Sequence, residues 1–302
     1  MFHYFHGAGH QGSQGSLSAE MFDDVLAYVE RDQALLPAKA WSEKACCGLL
    51  REGDVAVSFD DNLRCQWEIA LPVLRRRNLT AFWFIPTSVF EGFPERTELY
   101  RYFRTHGFPD LQEFYAAFAD TVIQTCGHTF LKRGLEDFDA SGYFAEYAFY
   151  TREDRVFRFL RDVYLGAELY GRVMDLLMAG HAIDERQLVG QLWMDADRLR
   201  RLRDQEHVVG MHSHSHPTRI DLLSVDEQRS EYVSNREHLE RILGQRPHAM
   251  AHPCGVYTEE TLRVLRRMGV TLGFRDNMNM SAPSALEYPR RDCADVLNEM
   301  VA

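Results

Sequence analysis

The chain has 302 residues, with 45 Asp and Glu against 34 Lys and Arg for a formal net charge of −11, and it is 45% hydrophobic and 26% charged. That composition is ordinary for a globular chain and excludes a disordered, collagen-like or rod-like one. The acidic balance excludes a large nucleic-acid footprint, which needs a basic face. The length suits about two domains or one α/β barrel of about 250 residues. No apolar run approaches the ~20 residues of a membrane span. The start, MFHYFHGAGH, lacks the basic and apolar regions of a signal peptide. The cysteines Cys46, Cys47, Cys65, Cys126, Cys254 and Cys293 form no C-x-x-C pair, so the expectation is a cytoplasmic protein with free thiols.

In chain order, Phe2 to Phe5 is a short aromatic run before a Gly- and Ser-rich stretch at 7–16, the pattern of a first strand and loop. Ser18 is placed to cap a helix with Met21, Val25, Leu26 and Val29 at helical spacing. VAVSF at 55–59 reads as a strand, Leu71 to Arg77 as a helix, and TAFWFI at 80–85 as a strand ended by Pro86. From about 91 to 205 the pattern is helical without a convincing strand. Its apolar stripes are Leu111, Phe114, Tyr115, Phe118 and Val122, then Val156, Phe159, Leu160, Val163 and Tyr164, then Leu188, Leu192, Leu199 and Leu202. This reads as a helical insertion whose faces form a core, a lid or a dimerisation surface.

Strand–helix alternation returns with HVVGM at 207–211. Ser224 with Glu227 makes a capping box for a helix running to Gly244. HAMA at 248–251, a helix from Thr258 to Met268 closed by Gly269, and VTLGF at 270–274 complete the series. Such alternation predicts a parallel sheet, open or closed into a barrel.

Three strand ends carry reactive side chains. Asp60 and Asp61 follow VAVSF, a costly pairing of carboxylates unless a cation lies between them. His212, Ser213, His214, Ser215 and His216 follow HVVGM, and two imidazoles separated by three residues can close on one ion. Ala251, His252, Pro253, Cys254 and Gly255 follow HAMA, with Pro and Gly framing a rigid turn. Active sites of parallel α/β folds lie at the carboxyl ends of strands, where all three segments fall. One carboxylate with two imidazoles makes a hydrolytic metal site with positions left for water and substrate.

VSFDDN resembles the first motif of the polysaccharide deacetylases (carbohydrate esterase family 4, with the NodB-homology fold). MHSHSHP, with Leu222 and Leu223 further on, resembles their His-containing second motif, and MAHPCG their third. FHYFH before its Gly-rich loop is similar to the Tyr-His entry of one subgroup. The resemblance covers roughly 1–90 and 205–292, leaving the insertion at about 91–205 in an otherwise single catalytic domain spanning 1–302. It implies a deformed (β/α)7 barrel and removal of N-acetyl groups from amino sugars. By position, Asp60 is the general base, Asp61, His212 and His216 hold a divalent metal, and the Cys254 backbone N–H faces the oxyanion; His214 falls on an unconstrained position.

Two departures from the family pattern follow. Ala251 replaces the third-motif arginine, and Tyr288-Pro289-Arg290 resembles the element that supplies a cation in members lacking it, with Arg291 a close competitor. No His follows His252, so the late general-acid motif is absent and the acid falls to His6, in the Tyr-His position, then His252 or His10.

The implied metal is zinc, with cobalt, nickel or iron as alternatives. The implied substrate is a nucleotide-linked or lipid-linked amino sugar of surface polysaccharide (O-antigen) synthesis, with no nucleic-acid partner. The insertion leaves room for a homo-oligomer. Alternatives on the same site are a deformylase, another amide hydrolase, or a catalytically degenerate binding protein.

Overall fold

Alternation of side chains along short parallel strands builds the framework. The computed structural model describes residues 1–144, 150–181, 183, 185–278 and 284–301. Met1–Pro94 and Arg186–Ala302 form one compact unit, and Glu95–Glu185 a second.

The first unit begins with α1 (Ala19–Val29), capped by Ser18, whose side chain accepts from the Met21 N–H as expected. β1 (Ala34–Leu35) and β2 (Asp54–Val55) pair in parallel on either side of α2 (Ala38–Cys46). β3 (Ser58–Phe59), β4 (Phe82–Ile85), β5 (Val208–Met211), β6 (Ala249–Ala251) and β7 (Leu272–Phe274) form a parallel five-stranded sheet in chain order. α3 (Leu71–Arg76) follows a π-helical turn at Gln66–Ala70.

The expected strand at 55–59 is therefore divided. Asp54–Val55 pairs with Ala34–Leu35, whereas Ser58–Phe59 pairs with Phe82–Trp83, so the chain changes partner at Ala56–Val57.

Single parallel bridges extend the sheet at both edges, Phe2 to Phe59 and Tyr288 to Phe274, which makes seven strand positions. The edges then meet: Cys293 N–H donates to Met1 O (3.2 Å), and the Arg290 guanidinium reaches Asp60 (2.6 Å). The curled sheet is a deformed parallel barrel.

One face of the sheet gathers Phe82, Phe84, Val208, Ala249, Ala251, Leu272 and Phe274 around Trp41 of α2. The other face, with Phe59, Trp83, Ile85, Val209, Met211 and Met250, joins the larger apolar core. Gly210 keeps the faces close. A Cβ there would lie 2.7 Å from Ala249 O and 2.8 Å from the Phe84 ring.

The second unit is helical among its described residues: α4 (Arg96–His106), α5 (Leu111–Cys126), α6 (His128–Asp137), α7 (Arg152–Phe159) and α8 (Gly166–Ala179). Phe114, Phe118 and Val122 are buried as the first stripe expects. The second stripe is cut by a π-helical turn at Leu160–Leu165, which shifts the helical phase and leaves Val163 exposed.

The third stripe lies in the first unit, on α9 (Glu185–Leu192) and α10 (Ala196–Asp204), with Leu199 and Leu202 in its core. α11 (Val225–Leu243) opens with the expected Ser224–Glu227 capping box and ends at Gly244. α12 (Glu259–Arg267) and α13 (Cys293–Val301) complete the chain. No disulfide joins the six cysteines, and no helix of the described residues is long and apolar enough to cross a membrane.

Candidate metal centre

The Asp60–Asp61 pair is presented by a turn that leaves β3 in the left-handed region, with φ of 75° at Asp61 and 61° at Asn62. Such φ values are uncommon outside glycine, and Asp and Asn adopt them most readily among the rest. They are held because Asn62 Nδ2 donates to Met194 O (3.2 Å), Met194 N–H donates back to Asn62 O (3.0 Å), and Gln66 Nε2 donates to Asp60 O (2.6 Å). Gln66 opens the π-helical turn, a distortion frequent at functional sites.

His212 follows β5 directly. Its Nδ1–H donates to Ala251 O (2.9 Å), which turns Nε2 toward Asp61. His212 Nε2 and His216 Nε2 each lie 3.5 Å from Asp61 Oδ1. The three donor atoms fall within 4.8 Å of one another. Ligands bonded to one tetrahedral ion at about 2.1 Å are themselves about 3.4 Å apart, so two nitrogens and one oxygen at this spacing fit a divalent cation.

Charge and burial act differently on the three groups. Burial opposes ionisation of Asp61, but the His212 hydrogen bond and the nearby imidazoles hold its carboxyl well below the usual range. Burial pushes His216 down to about 4, so it stands neutral, as a ligand must be. For His212 burial favours the neutral form, while the Asp60 and Asp61 charges outweigh it and raise the pKa.

Asp60 is buried beside this cluster. Arg290 grips it through Nη1–Oδ1 (2.6 Å) and Nη2–Oδ2 (2.7 Å), while Arg290 Nε donates to Arg275 O (2.6 Å). Burial, the largest single effect, would raise the Asp60 pKa; the Arg290 and His212 charges and the Arg290 hydrogen bonds together outweigh it and lower it to about 2. Arg291, the competing cation, instead pairs with Glu299 of α13.

The histidine from the amino-terminal run that reaches this pair is His3, with Nε2 3.8 Å from Asp60 Oδ2 and 3.9 Å from Asp61 Oδ2. Sequence reasoning passed over it. The signal was the alternative reading of FHYFH: once Phe2 bridges Phe59, the next residue, His3, stands beside Asp60.

His6 is hydrogen-bonded through Nδ1 to Ser16 Oγ (2.9 Å), and His10 Nε2 to Glu68 Oε2 (2.6 Å). His252 is fully buried, donates Nε2–H to Leu286 O (2.9 Å), and is lowered to about 4 by burial. His214 turns to Thr87 Oγ1 (3.0 Å) and stacks on His238. Cys254 occupies a tight turn after β6 with φ of 50°. Gly255 is required beside it, because a Cβ would lie 1.9 Å from Asp276 Oδ1.

Residues 170–273 match the family model described as polysaccharide deacetylase. Over that stretch the chain is similar to the polysaccharide deacetylases. The matched stretch holds His212, His216 and the Cys254 turn, and it begins downstream of Asp60 and Asp61.

Several solved structures share the fold. The Streptococcus pyogenes deacetylase PplD in complex with acetate is 14% identical, with TM-score 0.55 over 96% of this chain and 88% of that one. IcaB from Ammonifex degensii is 13% identical, with TM-score 0.57 over 99% and 93%. The BpsB deacetylase domain from Bordetella bronchiseptica is 10% identical, with TM-score 0.53 over 95% and 92%. At these identities the likeness is one of fold. No curated protein sequence matches the chain.

Proposed function

We propose that the protein is a metal-dependent carbohydrate N-deacetylase, built as one catalytic domain with Glu95–Glu185 as an inserted helical unit. The supporting observation is the convergence of Asp61, His212 and His216 beside the Asp60–Arg290 pair at the strand carboxyl ends. Asp61, His212 and His216 would hold the cation; zinc suits the donor set, and cobalt, nickel or iron fit it too. When bound, a divalent cation supplies Lewis acidity for the amide carbonyl and lowers the pKa of water.

Asp60, kept ionised by Arg290, takes the proton from the attacking water. Arg290 fixes the orientation of that carboxylate through its paired hydrogen bonds. The Cys254 turn offers a backbone N–H to the developing oxyanion, and one such donor is worth about 3 kcal/mol. A histidine protonates the departing amine. The approach of His3 to both aspartates supports it in this role, with His6, His252 and His10 as competitors.

The substrate in this reading is a nucleotide-linked N-acetyl amino sugar, or a lipid-linked one, in surface-polysaccharide (O-antigen) synthesis in the cytoplasm. The test is mass spectrometry on N-acetyl and N-formyl amino sugars, free, nucleotide-linked and lipid-linked, with added divalent metal and in parallel with chelator. Chelator-sensitive loss of one acetyl group supports the proposal, and loss of formyl alone makes the protein a deformylase. Metal binding without acyl loss on any sugar supports a binding protein.

A further inference from the structure

The loop that carries both histidines is built against its own backbone preference. Ser213 and His216 have φ of 59° and 56°. Each left-handed residue costs roughly 1–2 kcal/mol, so the conformation persists only if its surroundings impose it. The imposing surface is one face of α11, where Glu231, Asn235 and His238 recur at helical spacing.

Asn235 is fully buried and satisfied at both ends of its amide. Its Oδ1 accepts from His212 N–H (3.1 Å), and its Nδ2 donates to Ile85 O (2.9 Å) and Thr87 Oγ1 (3.1 Å). It thereby ties the end of β4 to the first histidine after β5. Glu231 takes three donors from the same loop: His214 N–H (2.9 Å) and Ser215 N–H (2.8 Å) on Oε2, and Ser215 Oγ (2.7 Å) on Oε1. From the β4 side, Thr87 N–H and Ser88 N–H both donate to His214 O, at 3.0 and 2.9 Å.

We propose that Asn235 and Glu231 are positioning residues that preorganise the His212–His216 pair for the cation. Neither side chain touches Asp61 or the ring nitrogens that face it. Both act through the loop backbone, which sets the two 3.5 Å approaches to Asp61 Oδ1. This rests on the metal reading above. Removing the strap loosens the spacing of the donors while leaving their chemistry intact.

The experiment measures Co²⁺ and Zn²⁺ dissociation constants for the full chain by competition with a chromogenic chelator, alongside the Co²⁺ absorption spectrum; neither readout depends on turnover. Asn235→Ala and Glu231→Ala are expected to weaken binding about 10- to 100-fold, the usual range for residues that orient metal ligands. In a His216→Ala background, where the loop delivers one ligand fewer, the Asn235→Ala penalty is expected to fall below about threefold. Glu231 is only half-buried, so its variant serves even if Asn235→Ala does not fold. Folded variants with wild-type dissociation constants and only a lower unfolding midpoint overturn the proposal and leave the metal reading standing. A wild-type chain that binds neither ion overturns both.

Discussion

Arg290→Gln is the most informative single perturbation. Wild-type Asp60 and Arg290 side chains are 4% and 5% exposed, and two short hydrogen bonds join them. Removing the guanidinium leaves a buried carboxylate with imidazoles 3.8 Å (His3) and 4.0 Å (His212) away. Breaking one side of a buried pair costs about 3–5 kcal/mol, because the surviving charge stays desolvated. Asp60→Asn should cost a similar amount by stranding the guanidinium. The double variant buries no unpaired charge at this point, so its cost should fall short of the sum by at least about 2 kcal/mol. The assay is equilibrium urea unfolding at neutral pH with chelator present, reading the midpoint and checking that the m-value is unchanged. Single costs below about 1 kcal/mol, or costs that simply add, would refute the claim that this pair is a closed, desolvated unit.

Three further outcomes are expected. His3→Ala should lower kcat about 100-fold or more, the scale of general acid catalysis, with metal affinity held; if His6→Ala does so instead, the proton donor is His6. His207 Nδ1 accepts from Ala81 N–H (2.9 Å) and Trp83 Nε1–H (3.1 Å), and burial lowers its pKa from 6.5 to about 4. The unfolded chain therefore takes up this proton first. The stabilisation of about 3 kcal/mol is complete above pH ~6.5 and is lost as pH falls toward ~4, and His207→Asn should flatten that part of an unfolding-versus-pH curve. Gly210→Ala should destabilise by about 1–3 kcal/mol through overpacking, measured by the same urea titration, since its Cβ meets Ala249 O at 2.7 Å.

Much of the site is legible in the sequence because strand ends in parallel folds concentrate chemistry. Asp61, His212 and His216 come together as their motif spacing implies, and Arg290 rather than Arg291 meets Asp60. His3 is hidden because an aromatic–histidine repeat does not reveal which of its members pairs with Phe59; only register does. α2 is hidden for another reason. Its buried Ala38, Trp41, Ser42 and Ala45 recur at helical spacing, yet small and hydroxyl side chains do not read as an apolar stripe. The break at Ala56–Val57 is equally silent, since a continuous apolar run does not say that its two halves have different partners. Asn235 and Glu231 look like ordinary polar positions on a long helix until the loop above them is seen.

The join between Asp60 and Arg290 spans 230 positions of chain. At about 5–20 residues per second of synthesis, Arg290 leaves the ribosome roughly 10–50 s after Asp60. Until then the carboxylate has no guanidinium to meet, and the two edges of the curled sheet cannot be latched. Pairings of such sequence separation are slow to form, because loop closure precedes any reward from contact. The nascent chain therefore passes through a long interval in which its amino-terminal strands exist without their seal, and this interval is when proteases and chaperones find it. The same join that orients the carboxylate thus also times the closing of the fold.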